Sequence, residues 1–297
     1  MCNKDFTHLH VHSHFSVQDA LATPAQLIQA AANQGFSALA LTDHGRMGGH
    51  FEFAEAAKES NIKPILGCEF YLAKDRFDKN NLAEDGTKKG REKLTHLTVL
   101  AQNAKGYENI LKLGYEASNP DCYYYFPRID FDFLTAHNEG LIVLSGCLAS
   151  ELQQTLLKSS YEEAIKVAKK FKEVFGDRYF IELQYHGIEE QKQNLPSLVK
   201  IAKDLDIKMV ASNDVHYVDA ADWKLHDVLI QMKDLRDDKQ LSKSTGKKEA
   251  YGTHQFYLKS YEDMFKIFGG KVPESLSNTK LIRSEEHTSE LQSRFGI

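Results

Sequence analysis

Seven short apolar segments, separated by stretches of helical periodicity and each delivering a metal-ligating side chain, leave this chain few folds to adopt. The first runs Phe6-Thr7-His8-Leu9-His10-Val11-His12-Ser13. Strand side chains alternate between faces, so His8, His10 and His12 are expected on one face with Thr7, Leu9 and Val11 behind. Taken alone, this segment could also be a solvent-facing strand that happens to be rich in histidine, the less favoured reading of the two. The pattern recurs, however: Ala38–Thr42 runs into Asp43-His44-Gly45, 64–68 into Glu69, and His96 opens an apolar run to Leu100. Further on, 141–146 leads to Cys147, 179–185 to His186 and 209–213 to Asp214 and His216.

Helical patterns lie between these segments. Thr23 can cap a helix that starts at Pro24, presents Leu27, Ile28, Ala31 and Ala32 on one face and stops at Gly35. Residues 48–60, 105–118, 149–176, 189–205 and 219–232 repeat apolar positions three and four apart. An alternation of strand and helix repeated about seven times implies parallel strands in one closed barrel, whose active site gathers at the C-terminal strand ends.

The ordered motifs His-Leu-His-Val-His-Ser at 8–13 with Asp19, Ala-Leu-Thr-Asp-His-Gly at 40–45, Gly67-Cys68-Glu69, 96–103, 144–148 and Asn213-Asp214-Val215-His216-Tyr217 carry a resemblance. Together they resemble the polymerase-and-histidinol-phosphatase (PHP) domain family, in the branch at the N-terminus of bacterial replicative DNA polymerase III alpha subunits. The resemblance covers roughly residues 5 to 282. It implies an α/β fold, a distorted (β/α)7 TIM-like barrel. It also implies nine metal ligands: His10, His12, Asp19, His44, Glu69, His96, Cys147, Asp214 and His216. Among these, His10, His12, His44, Asp214 and His216 are the expected catalytic residues. His8 is expected to support the ligands rather than join them. Cys147 stands where stand-alone family members carry His, and thiolate is a competent zinc ligand.

The chemistry follows from the donor types. Imidazole and thiolate suit Zn2+ or Mn2+, Mg2+ being an alternative, and bridging carboxylates suit two or three ions together. Such clusters polarise phosphoryl groups and activate water, so the expected reaction is phosphoester hydrolysis. The polymerase branch implies 3′→5′ exonuclease proofreading in DNA replication, with a DNA 3′ end as substrate and the remainder of the polymerase III alpha subunit and its holoenzyme as partners. Two rivals stay open: a silent, metal-stabilised platform of the polymerase, and a stand-alone PHP phosphomonoesterase. Arg46 and Arg128 are candidate phosphate holders, against the commoner role of solvated surface arginine.

Net charge is −5, which argues against a broad DNA-wrapping surface but not against gripping a strand end. No apolar run reaches the length of a membrane span and no signal peptide is visible. Cys2, Cys68, Cys122 and Cys147 form no CxxC pair or disulfide framework, which suits a cytoplasmic location. Gly45, Gly48 and Gly49 read as turn residues, since the lysine and hydroxyl of a phosphate loop are missing.

Three stretches stand apart. Asp130 and Asp132 imitate the Asp-x-Asp pair of a polymerase palm, but they follow the aromatic run Tyr123-Tyr124-Tyr125-Phe126 inside the barrel region. They are read as structural, one of them capping the helix near Phe133-Leu134. Residues 75–93, rich in Lys and Arg, read as a long surface loop that could also guide single-stranded DNA. Residues 1–282 are expected to form the PHP domain. Residues 283–297 resemble a translated sequencing adapter and are expected to be a non-native tail, so His287 is not counted as a ligand and the chain reads as a truncated gene product without a polymerase palm.

Overall fold

A computed structural model describes residues 6–79, 94–234 and 252–284. The strands are β1 (Ala38–Leu41), β2 (Lys63–Ala73), β3 (Thr95–Ala101), β4 (Arg128–Asp130), β5 (Leu141–Leu144), β6 (Tyr179–Leu183) and β7 (Met209–Ala211). The helices are α1 (Pro24–Asn33), α2 (His50–Glu59), α3 (Ala104–Ser118), α4 (Phe131–Ala136), α5 (Glu151–Lys158), α6 (Tyr161–Phe175), α7 (Glu189–Asp204), α8 (Trp223–Asp234), α9 (Tyr261–Phe268), α10 (Glu274–Ser277) and α11 (Thr279–Ser284).

Local sequence explains the main boundaries. Thr23 accepts from Gln26 N while Gln26 reaches back to Thr23 N, the reciprocal cap that starts α1 at Pro24. The helical stretch expected at 149–176 is two helices, because Ser160 caps α6 and breaks the run at Ser159-Ser160. Asp130 caps α4 by accepting from Phe133 N at 2.9 Å and also binds the Arg76 guanidinium at 2.9 Å, so the Asp130/Asp132 segment is structural as expected. Residues 80–93, most of the expected basic loop, and 285–297, most of the expected tail with His287, lie outside the described residues. Arg283 is described: it belongs to α11 and donates to Ser37 Oγ at 2.7 Å.

The sheet runs in the order β1-β2-β3-β5-β6-β7, with β4 paired to the outer end of β2. Residues 8–12 close the ring, since Ala40 N donates to His8 O, Thr42 N to Val11 O, Val215 N to His10 O and His12 N to Val215 O. These seven ring members are the seven expected segments. The expectation of parallel strands fails at β3, which is antiparallel to both β2 and β5. Its reversal has a use: His96, near the start of β3, thereby reaches the end of the barrel where the parallel strands finish.

The barrel interior divides into two halves. Leu9, Ala38, Ala40, Ile65, Leu100, Ile142, Leu144, Phe180 and Val210 fill the lower half, with Ile282 of α11 packed against them. A larger apolar layer, including Leu39, Leu41, Phe70, Val99, Val143 and Ile181, lies between strands and helices. The alternation along each strand therefore serves two cores, and it leaves the upper interior to polar side chains.

Candidate metal centre

That upper half collects all nine expected ligands. His10 and His12 come from the closing segment, Asp19 from the loop after it, His44 from the turn after β1, Glu69 from β2 and His96 from β3. Cys147 follows β5, and Asp214 and His216 follow β7. Glu69 is central: its Oε2 lies 3.3 Å from His10 Nε2, 3.3 Å from His12 Nε2 and 2.9 Å from His44 Nδ1, and its Oε1 lies 3.1 Å from His96 Nδ1. Asp214 Oδ1 is 3.3 Å from His10 Nε2 and 3.2 Å from His12 Nε2. Asp19 Oδ2 links His44 and His216 at 2.9 and 3.1 Å. Cys147 Sγ borders the group, 3.4 Å from Glu69 Oε1.

Three donor sets emerge: His10, His12, Glu69 and Asp214; His44, Glu69 and His96; and His12, His44 and His216, the donor atoms of each lying within 4.8 Å of one another. Whether these residues suit metal ions is answered by their buried atoms. His10 Nε2, His12 Nε2, His44 Nδ1, Glu69 Oε2 and Asp214 Oδ1 are buried with no hydrogen-bond partner, a costly state unless a cation satisfies them. The set is nitrogen, oxygen and sulfur donors of the kind divalent transition ions take.

The charges agree. Burial opposes protonation of His10, but Asp214, Glu182 and Glu69 outweigh it and hold its pKa well above the usual histidine range. Burial is likewise overcome at His44, chiefly by Glu69, and at His216, chiefly by Asp214. Glu69 and Asp19 are held well below the carboxylate range despite burial, by His44 and His10 around the first and by hydrogen bonds from His216 and His44 to the second. Raised imidazoles beside depressed carboxylates mark a place where a divalent cation would compete with protons for the same atoms. Asp214 sits at φ +48°, a backbone conformation that a non-glycine residue adopts at some cost.

A second layer fixes these ligands. His10 Nδ1 donates to Glu182 Oε1 at 2.8 Å, and Gln184 and Ser212 donate to the same oxygen. His12 Nδ1 meets Ser16 Oγ at 3.1 Å, and Ser16 in turn donates to Asp43 at 2.7 Å. His216 Nδ1 donates to the backbone oxygen of Asp214 at 2.8 Å. Glu182 was missed in the sequence, although an acid in the middle of the apolar run Tyr179–Leu183 was its signal. His186, the residue that segment was expected to deliver, instead bonds Asn213 O at 2.7 Å and Gln191 at 2.8 Å and stacks on Phe256.

His8 also departs from expectation. Between the hydrogen bonds at His8 and Val11 the closing segment uses three residues where β1 uses two, a bulge that takes His8 off the face of His10 and His12. Its Nε2 bonds Lys259 O at 2.9 Å and its ring lies against Phe6 and Phe36, so no described contact ties it to the cluster.

The cluster floors a cleft of about 750 Å³ lined in part by Leu148, Gln184, Glu189, Glu190 and Phe256. No lysine or arginine lines it among the described residues. Arg46 is exposed and outside the lining. Arg128 is buried rather than solvated, with its guanidinium donating to Tyr124 O at 2.6 Å and Asp78 O at 3.3 Å, which corrects both readings offered for it. Among the described residues no helix is long and apolar enough to cross a membrane.

The sequence matches the family described as PHP domain over residues 8–186. It is 41% identical over 283 residues to the DNA polymerase III subunit alpha of Treponema pallidum, covering 94% of this chain and 23% of that protein. With the same subunit of Deinococcus radiodurans it shares 39% over 270 residues, covering 88% of this chain and 19% of the relative. The chain thus spans less than a quarter of the length of these relatives. Among solved structures, an amidohydrolase from Chromobacterium violaceum with bound sulfate and no metal superposes with a TM-score of 0.46 at 16% identity, covering 71% of this chain and 87% of that one.

Proposed function

This chain belongs to the PHP domain family, and on that premise we propose that it is a multinuclear metal-dependent phosphodiesterase that removes nucleotides from a DNA 3′ end, as the proofreading part of a replicative DNA polymerase III alpha subunit. The observation that carries the proposal is a set of five buried atoms, one each from His10, His12, His44, Glu69 and Asp214, that make no hydrogen bond and face one another at 2.9 to 3.3 Å. Likeness to polymerase III alpha subunits over about nine-tenths of the chain supports the replicative setting.

The residues that would hold the ions are His10, His12, Glu69 and Asp214 in one set, His44 and His96 with Glu69 and the neighbouring Cys147 in a second, and His12, His44 and His216 beside Asp19 in a third. Zn2+ or Mn2+ suits these donors best, with Mg2+ an alternative. Bound there, divalent ions supply Lewis-acid polarisation of a phosphoryl group and activation of water. The chain's own part is orientation. Glu182 keeps the His10 proton on Nδ1, Ser16 and Asp43 hold the His12 ring, and the Asp214 backbone oxygen holds His216. Each leaves Nε2 turned to the carboxylates of the cluster, the arrangement by which outer groups fix ligand tautomers.

One observation favours a second reading. Glu189 and Glu190 line the cleft without a basic neighbour there among the described residues, and such a wall repels a polyanion. That suits a silent, metal-stabilised platform of the polymerase, or a phosphomonoesterase with a small substrate.

Purified chain supplied with Mn2+ or Zn2+ should shorten 5′-labelled single-stranded DNA from its 3′ end. His12→Ala and Asp214→Ala should abolish this, and Asp132→Asn, an exposed carboxylate on α4, should not. Full metal loading without cleavage would replace the enzymatic reading by the platform, and faster turnover of a nucleotide-free phosphomonoester than of DNA would replace it by the phosphatase.

A further inference from the structure

The run Tyr123-Tyr124-Tyr125 has no place in the barrel core. These three residues are 43%, 37% and 63% exposed, an unusual concentration of exposed aromatic residues in one loop. The loop is nevertheless built. Arg128, buried beneath it, donates to Tyr124 O and lies 5.6 Å from the Tyr124 ring. Tyr123 Oη donates to Tyr125 O at 3.2 Å, and Tyr124 N donates to Phe126 O at 3.3 Å. Tyr125 holds φ +60°, in the left-handed region that a bulky side chain rarely adopts. Backbone strain spent on presenting aromatic rings to solvent points to a surface that contacts something.

The loop is also continuous with the metal centre. His44 stacks on Tyr71 at 5.7 Å between centroids, and Tyr71 packs on Phe126 at 4.7 Å. Tyr124 pairs with Phe126 through the backbone and meets the Tyr125 ring at 4.6 Å. Gly45 makes this approach possible: a Cβ there would lie 2.5 Å from Pro127 Cγ, so only glycine lets the loop seat against the ligand-bearing turn. Ring contacts from His44 to Phe126 and a backbone bridge from Phe126 to Tyr124 therefore tie the exposed loop to the cluster. Glu189 and Glu190 lie on the cleft wall, whereas Arg46 follows the His44 turn and Lys74 follows β2, both exposed.

We propose that Tyr123, Tyr124 and Tyr125 form a stacking platform for the unpaired bases of a single DNA strand whose 3′ end lies in the metal cleft. The inference rests on the phosphodiesterase reading, which supplies the strand. Phosphate-holding cations are scarce in the cleft, and base stacking supplies grip without them. Stacking on aromatic rings also tolerates any sequence, as a 3′-end exonuclease requires. The strand leaves over the tyrosines.

The test uses fluorescence anisotropy with the whole chain in excess chelator, so that binding is read without cleavage. The probes are labelled oligothymidylate and an abasic strand of equal length, which carries the same phosphates and no bases. Wild type should prefer the base-bearing strand, Tyr123→Ala and Tyr125→Ala should each lose about tenfold in affinity for it, and Tyr125→Phe should keep it, all with unchanged melting. Equal affinity for the two strands, or alanine variants that bind like wild type, would overturn the platform. So would variants that bind strands normally but lose association with the rest of the polymerase polypeptide, since the rings would then be a protein contact. Base-dependent binding without cleavage by metal-loaded chain would leave the platform standing and remove the phosphodiesterase reading. Cleavage with indifferent tyrosine variants would do the reverse.

Discussion

Glu182 Oε1 accepts a hydrogen bond from His10 Nδ1 at 2.8 Å, and that contact decides which nitrogen of the imidazole faces Glu69 and Asp214. Both side chains are fully buried, so the bond is made in surroundings where it is strong and where its loss leaves a polar atom stranded.

Glu182→Gln is therefore expected to weaken divalent-metal binding about ten- to a hundredfold, the usual cost of removing a carboxylate behind a ligating histidine. Calorimetric titration of the two proteins with Zn2+ reads this directly. Equal dissociation constants would show that Glu182 does not orient His10.

Metal and protons compete for the same atoms. His10, His44 and His216 have folded pKa values above the ordinary 6.5, so in metal-free protein they contribute stability that is present below pH 6.5 and lost as pH rises through their folded values. Asp19 and Glu69 are depressed below their ordinary 3.8 and 4.5, and their contribution is present above those values and lost on acidification. Within the cluster, chelated protein is favoured most between about pH 4.5 and 6.5, and metal binding releases protons. The rise in melting temperature on adding metal is expected to be larger at pH 8 than at pH 6, as scanning calorimetry would record. A melt indifferent to chelator at both values would contradict any structural contribution from metal.

A histidine outside the cluster carries the opposite sign. Burial pushes His186 down to about 4, more than the Asp214 carboxylate raises it. A neutral imidazole of this kind contributes stability present above its unfolded value of 6.5 and lost as pH falls toward 4. In excess chelator, the stability advantage of wild type over His186→Gln should shrink by about 2 kcal/mol between pH 7 and pH 5, measured by urea unfolding. A constant difference would mean that His186 titrates normally.

The ring of seven segments was legible because strand and helix periodicities differ and because each segment carried ligand-type residues. Ser13, Asp43 and Gly45 were legible only as neighbours of ligands, although Asp43 accepts from Ser13 and Ser16 and so ties the closing segment to the β1 turn. Strand direction was not legible. Nothing in Thr95–Ala101 says that β3 runs backwards, since alternation of apolar residues is the same in either sense. The bulge before His10 was hidden for a related reason: a run of alternating histidines reads as regular pleat until the hydrogen bonds of β1 count its residues differently. Glu182 and His186 show a third limit. Glu182 lies on β6 and holds His10, whereas His186 comes three residues after the strand ends and is buried against Phe256, and the sequence does not show where the strand stops.

Residues from all around the ring are proposed to make one multinuclear metal centre, and anomalous diffraction from crystals soaked in Zn2+ or Mn2+, with elemental analysis of the same protein, would locate its ions. The expected result is two or three ions per chain, one of them between His10 Nε2, His12 Nε2, Glu69 and Asp214 with bonds of about 2 Å, and the His12→Ala protein should lose that peak. Anomalous density elsewhere on the chain with none inside this ring of ligands, or fewer than two ions per chain at saturation, would contradict it.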